Sequence, residues 1–364
     1  MFCYKMLMFL SCFLVCLPVA CEKQEYKSSA APDDSTAAIV YYSKEISPQA
    51  VQKLYSLLQP QLSGKIAIKL HFGEEGNKNL LDPKLIKPLC RQLNATLVET
   101  NVLYGAQRGK TESHIALAKR HGFDFAPIDI LDGEGNLSYP AKGKHFSKVY
   151  TGSHFPDYDG YLIYSHFKGH GMAGFGGAIK NIAMGLASKE GKRFQHSGNY
   201  PLYDDEKCIK CGLCVSSCPE DAITIDPVNI DHLSCIACGK CVSVCPEKVY
   251  RFSVKNQDAF MERLVEYAKV FSEQKPMVYI NVLANISSAC DCMSRAPKPF
   301  LPDLGIVAST DIVAVEAASH DLVDKAHKCQ DAFLKETSVS GKRQISYAQE
   351  LGMGKQNYRL VELK

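Results

Sequence analysis

From about residue 38 onward, short apolar runs alternate with amphipathic stretches, the βα rhythm of a mostly parallel sheet covered by helices. Ile39–Tyr42 reads as a strand, and Pro48–Leu58 as a helix with proline in its first turn. Lys65–Leu70 predicts a strand and Pro83–Leu93 a helix. Thr96–Glu99 predicts the next strand, and Thr111–His121 a helix closed by Gly122 in the C-cap position. Ala126–Ile130, Lys148–Thr151 and Tyr161–Tyr164 follow as strands, and a glycine-rich turn opens a helix at 178–186. Beyond residue 252 come a helix around Asp258–Phe271, a strand Met277–Leu283, a helix Asp311–Ala326 and a strand Tyr358–Glu362. In the helix Asp311–Ala326, Asp311 fits the N-cap, and Val313, Val315 and Val323 belong to the core. Glu316, Asp321 and Asp324 are expected on its solvated face.

Eight cysteines interrupt this rhythm. Cys208, Cys211, Cys214 and Cys218, followed by Pro219, repeat 27 residues later as Cys235, Cys238, Cys241 and Cys245, followed by Pro246. Each run reads C-x2-C-x2-C-x3-C-P, the bacterial ferredoxin spacing of thiolates around a [4Fe-4S] cluster. In such pairs the fourth cysteine of each run ligates the other cluster. The expected sets are therefore Cys208, Cys211, Cys214 with Cys245, and Cys235, Cys238, Cys241 with Cys218. Structural zinc sites instead pair two C-x2-C knuckles across a longer gap. Gly212 and Gly239, each after a second cysteine, permit positive φ and close backbone approach. The segment 208–250 resembles the two-cluster bacterial ferredoxin, including a Cys-Pro-x-x-Ala-Ile tail from Cys218 to Ile223.

Residues 1–21 read as a targeting segment: Lys5, an apolar run Met6 to Ala20, then Cys21. This resembles a bacterial lipoprotein signal with Cys21 as the lipidated residue, although Pro18 departs from the usual lipobox and no Arg-Arg pair precedes the apolar run. The expectation is a membrane-anchored protein of the cell envelope, with a cytoplasmic location as the alternative. Residues 22–38 are polar and patternless, a flexible tether.

With 364 residues, 46% hydrophobic and 22% charged, the chain has the composition of a globular protein of two domains. A net charge of +3 without a basic run or aromatic-basic alternation argues against a nucleic-acid partner. The α/β pattern resumes on both sides of the cysteine runs. Residues 39–200 and 252–364 thus form one discontinuous α/β domain, into which 201–251 is inserted as an α+β, two-cluster ferredoxin-type domain. Cys90 and Cys329 sit in helical patterns and read as small core residues.

Chemistry in open α/β sheets gathers at the carboxyl ends of strands. Candidate residues fall there: His71 and Glu74 after one strand, His166 and His170 after another, and Lys180 beside the glycine-rich turn, whose N–H groups can hold an anion. Cys290-Asp291-Cys292, if extended, points both thiols into one cleft with Asp291 opposite. That arrangement suits a soft metal or a redox dithiol, and equally two buried small residues.

The peptides Lys-Leu-His-Phe-Gly-Glu (69–74), Gly-Phe-Gly-Gly-Ala-Ile-Lys-Asn (174–181), Cys-Asp-Cys (290–292) and the stretch Asp303 to Asp311 resemble the iron–sulfur-centre branch of the DUF362 family, from about Lys65 to Ala326. The resemblance implies the α/β fold with its internal ferredoxin pair and specifies no reaction. No dinucleotide fingerprint is present, since Gly174-Phe175-Gly176-Gly177 is not one. The sequence thus points to an iron–sulfur protein with two [4Fe-4S] clusters, a redox partner protein and a small-molecule substrate in a cleft of the α/β domain. A metal-binding or electron-carrier envelope protein without turnover is the alternative.

Overall fold

The computed structural model describes residues 36–363 apart from Gln61, Gly105, Asn199 and Leu233. The segment 1–21 with Cys21, and the tether up to residue 35, lie outside the described residues.

Eight strands build one sheet: β1 (Ala38–Ser43), β2 (Ile66–Lys69), β3 (Thr96–Glu99), β4 (Ile128–Ile130), β5 (Gly160–His166), β6 (Met277–Leu283), β7 (Gly305–Ser309) and β8 (Tyr358–Glu362). Their order across the sheet is β8-β1-β7-β6-β5-β2-β3-β4. Pairing is parallel from β6 through β5, β2 and β3 to β4, and again between β1 and β8. Only β7 runs against its neighbours, with Ala308 opposite Tyr41 on one side and Ile280 on the other. The mostly parallel sheet is therefore as expected. The stretch containing β7 reads in the sequence as a motif, and the structure makes it a central strand.

Helices cover both faces, so the inner strands are buried on both sides and lose the alternation of a half-exposed strand. In β5, Leu162 and Tyr164 face a core shared with α1 (Pro48–Leu57) and α2 (Lys87–Gln92). Tyr161 and Ile163 face the opposite core, shared with α4 (Ala178–Gly185), α5 (Val254–Gln274) and α6 (Ile312–His327). Between α2 and α4 lies α3 (Thr111–Arg120), whose Ala118 joins the first core. Fully buried Phe260, Leu264 and Phe271 pin α5 to its core, each worth about 1.5–3 kcal/mol of transfer free energy. Ser47 caps α1 by accepting from the Ala50 N–H at 3.1 Å. Asp311 caps α6 as expected, accepting from Val313 and Ala314 at 2.9 Å each.

Three expectations are corrected. The strand at 148–152 lies outside the large sheet, in a hairpin with Asn136–Pro140. Glu316 is fully buried, because α6 packs between the sheet and neighbouring helices and has little solvated face. Cys329 is half-buried beyond the end of α6, its sulfur 3.2 Å from Nδ1 of His327, rather than a core residue within a helix. Cys90 is buried, with its sulfur 3.4 Å from the Ala95 carbonyl.

The cysteine-rich segment has a small core of its own, built from Ile223, Val228, Ile230, Val249 and Tyr250. Leu202–Tyr203 pairs antiparallel with Tyr250–Arg251, which brings its entry and exit together. The duplication is visible in the backbone. Lys210 and Ala237 (φ 55° and 49°), Gly212 and Gly239 (both 76°), and Asp221 and Lys248 (49° and 50°) take left-handed conformations at matching places.

Candidate functional site

The carboxyl ends of β2, β3 and β5 open on one cavity of about 180 Å³. Lys69 ends β2 with His71 just beyond it, Glu99 ends β3, and His166 ends β5. Lys180 from the first turn of α4, Lys192 from the helix Lys189–His196, and Cys290 and Cys292 add further walls. The cysteine-rich segment closes the cavity with Ile236, Cys238 and Lys240.

Of the residues expected here, His71, His166, His170, Lys180, Cys290 and Cys292 line the cavity. Glu74 does not. It is buried, and its Oε1 accepts from the Arg108 guanidinium at 2.8 Å and from the Tyr104 hydroxyl at 3.1 Å. His166 has both ring nitrogens engaged, Nδ1 with Asp291 at 2.9 Å and Nε2 with the Ala284 carbonyl at 2.7 Å, so its ring cannot ligate a metal. Its role is to hold Asp291, which also meets Lys168 at 3.1 Å.

The glycine-rich turn 174–177 is not an open anion site either. The buried carboxylate of Glu316 already accepts from the N–H groups of Ala178 and Ile179 at the start of α4. A side chain at Gly177 would overlap that carboxylate. Burial pushes the Glu316 carboxyl up to about 7.

Cys290-Asp291-Cys292 forms a turn, not a strand, with the Met293 N–H donating to the Cys290 carbonyl at 3.0 Å. The turn swings both thiols to one side. The Cys292 N–H points at the Cys290 sulfur at 3.4 Å, and the Lys180 ammonium lies 3.8 Å from it. A hydrogen bond from the Cys292 thiol, followed by Lys180 and Lys168, holds the Cys290 thiol well below the ordinary range, and the same pairing with burial drives Cys292 upward. His170, Cys290 and Cys292 each bring one ligand atom within 4.8 Å of the others, a grouping that can hold a metal ion.

Two histidines of the cavity, His71 and His170, accept on Nδ1. His71 takes the Gly73 N–H at 2.9 Å, and His170 takes those of Met172 and Ala173 at 3.2 Å. The neutral rings then carry hydrogen on Nε2. Burial is the first cause that keeps both well below the ordinary histidine value.

Several cavity residues escape sequence reading. Arg108 is buried and bridges Glu99 (3.0 Å) and Glu74, while His114 gives Nε2 to Glu99 at 3.0 Å. Lys69 and Lys192 are buried ammonium groups, held by burial down to about 7 and about 8. A lone lysine in a sequence reads as surface; only the strand-end position of Lys69 hinted otherwise.

The eight cysteines fall into two groups in space. Cys208, Cys211, Cys214 and Cys245 line one small cavity, and Cys218, Cys235, Cys238 and Cys241 line a second. Cys238 also borders the larger cavity. Backbone N–H groups point at three of the sulfurs: Ala222 at Cys218 (3.3 Å), Ala237 at Cys235 (3.3 Å) and Val249 at Cys245 (3.4 Å).

No curated protein matches the sequence. Among solved structures, the chain is similar to the lactate racemase apoprotein from Thermoanaerobacterium thermosaccharolyticum, at 12% identity and a TM-score of 0.36, covering 70% of this chain and 53% of that one. It is also similar to a protein from Thermotoga maritima, at 10% identity and a TM-score of 0.36, covering 77% of this chain and 59% of that one. The chain thus spans just over half the length of these structures. Residues 66–321, from the start of β2 into α6, match the DUF362 family, described as a domain of unknown function. With that match covering most of its length, the chain belongs to the DUF362 family.

Proposed function

We propose that this protein binds two [4Fe-4S] clusters and carries electrons between its surface and the cavity of the α/β domain. The observation that carries the reading is the division of eight cysteines into two quartets around separate small cavities, with Cys238 shared between one of them and the large cavity. Cys208, Cys211, Cys214 and Cys245 would hold one cluster, and Cys218, Cys235, Cys238 and Cys241 the other. The donor set fits. All eight ligands are thiols, and backbone N–H groups already aim at Cys218, Cys235 and Cys245, where they would stabilise a ligating thiolate. When bound, the clusters supply one-electron transfer. Cys211 is exposed and marks the side open to a redox partner protein, whereas the Cys238 side abuts the cavity. There the Cys290 thiolate beside Lys180 offers a nucleophile, and the Nε2–H groups of the neutral His71 and His170 rings offer hydrogen-bond donors, to a small molecule.

Anaerobic purification with iron and sulfide assays and EPR of the reduced protein tests the reading. About eight iron and eight sulfide per chain are expected for two clusters. Stoichiometric zinc with no visible chromophore would exclude it. Membrane attachment through Cys21 belongs to the same proposal, and palmitate labelling with a Cys21→Ala control checks it.

The grouping of His170, Cys290 and Cys292 favours a second reading, a soft metal ion outside the clusters with an open coordination position. Against it stands His170 Nδ1, which accepts backbone N–H groups where ligating imidazoles donate. Metal analysis of Cys290→Ala separates the two.

A further inference from the structure

The large cavity gathers far more positive than negative charge. Lys69, Arg108, Lys168, Lys180, Lys192 and Lys240 all line it, and Glu99 is the only carboxylate among the described lining residues. Glu99 is fully committed, accepting from Arg108, from His114 and from the Phe72 N–H. Lys168 is neutralised by Asp291. That leaves Lys69, Lys180, Lys192 and Lys240 with no carboxylate within ion-pair distance among the described residues, the Cys290 thiolate being the one anion beside Lys180.

Two of these four are deeply buried, Lys69 at 0% and Lys192 at 6% exposure. A buried ammonium without a counter-ion is strongly disfavoured. Each has three N–H donors, and the fold occupies two. Lys69 donates to the Leu70 carbonyl at 2.5 Å and to Asn181 Oδ1 at 2.7 Å. Lys192 donates to Thr100 Oγ1 at 2.5 Å and to the Ala187 carbonyl at 2.7 Å. The third donor of each has no partner among the described residues, and the Lys180 ammonium has one partner there, the Cys290 sulfur at 3.8 Å. Arg108 has every nitrogen engaged with Glu74, Glu99 or Tyr104, so it braces the wall rather than reaching a ligand.

We propose that the cavity binds a small oxyanion, a carboxylate or phosphate compound, between Lys69, Lys180 and Lys192, beside the Cys290 sulfur. This deepens the electron-transfer reading by naming the substrate class of the same cavity, and it rests on that reading only for the chemistry that follows binding. Point-charge lysines with single open donors, and no free guanidinium fork, favour spread negative charge over planar bidentate recognition. A volume of about 180 Å³ has room for a small organic anion. Cationic ligands are repelled.

Calorimetric titration of the full, cluster-loaded protein with oxalate, inorganic phosphate and choline chloride tests this, with iron content and EPR recorded on the same samples. Oxalate or phosphate should bind and choline should not; which of the two binds tighter separates the carboxylate from the phosphate. Lys180→Gln and Lys192→Met should each weaken binding tenfold or more. Lys192→Met should keep or raise the unliganded Tm while losing the oxyanion-induced rise, which distinguishes a lost ligand contact from misfolding. Unchanged affinity in both variants, or no oxyanion heat from wild-type protein with intact clusters, overturns the proposal. Iron-free protein that still binds oxyanion with this lysine dependence keeps it and sinks the cluster reading alone.

Discussion

The carboxylate of Glu316, carried on α6, accepts the backbone N–H of Ala178 and so caps α4 from outside that helix. Its Oε2 has no hydrogen-bond partner among the described residues, and burial pushes the carboxyl up to about 7 from an ordinary 4.5. The folded state therefore holds this proton more tightly than the unfolded chain does. The resulting stability is present below the ordinary value and is lost as pH rises from about 4.5 to about 7. Glu316→Gln keeps an acceptor for Ala178 and removes the titration. Urea unfolding at each end of that window should show wild type losing up to about 3 kcal/mol relative to the variant. Parallel pH profiles for the two proteins would refute the assignment.

Cys290 is expected to react as a thiolate. The Cys292 thiol, the Cys292 N–H and the Lys180 ammonium all favour its anion. Its alkylation by iodoacetamide, read by peptide mass spectrometry, should persist at lower pH than that of an ordinary cysteine, whose rate falls tenfold per unit below its thiol pKa. Cys329, which burial raises, serves as the internal contrast and should label only in alkaline solution. Cys292→Ala removes the thiol but keeps the backbone N–H and Lys180, so it should move the pH dependence of Cys290 part of the way back to that of an ordinary cysteine.

Arg108→Met should destabilise the protein by about 3–5 kcal/mol, because it strands Glu74 and Glu99 as buried carboxylates. Denaturant unfolding measures this. A companion Glu99→Gln in the Arg108→Met background should recover part of the loss, since it removes one of the two stranded charges.

Oxyanion affinity should weaken as pH rises through about 7 to 8, where Lys69 and Lys192 lose their protons. Burial is the main cause for both lysines. Glu99 opposes it at Lys69, and Asp132 and then Glu99 oppose it at Lys192, while Lys192, Arg108 and Lys168 reinforce it at Lys69, and Arg108 and Lys189 reinforce it at Lys192. Bound anion stabilises the ammonium form, so binding should take up protons in this window. Calorimetry in buffers of different ionisation enthalpy detects that uptake, and an affinity flat across the window would count against these two lysines.

The sheet was largely legible because its strands are apolar runs bounded by turn residues. Thr96–Glu99, Met277–Leu283 and Tyr358–Glu362 occupy the spans that their composition predicts. Gly305–Ser309 escapes the pattern although Ile306-Val307-Ala308 is a strand-like run, since no helix separates it from β6, against which it runs antiparallel, and it so falls outside the βα rhythm. The site was half legible. Histidines and paired cysteines stand out by chemistry, and they do line the cavity. The charges that define its electrostatics, Lys69, Arg108 and Lys192, are residue types that populate any surface, and only their burial sets them apart. Glu316 misled for the same reason, a charged residue on a helix that has almost no outside.

The two halves of the cysteine-rich segment share one backbone, yet their surroundings differ. A methyl group at Gly212 would meet nothing within 4 Å, whereas one at Gly239 would press on the Phe252 ring at 3.2 Å. Equal turns have thus come under unequal constraint. The outer copy has room to vary its surface over evolutionary time. The inner copy is tied to the shape of the chamber it walls, and sequence drift within this segment should be concentrated in its first half.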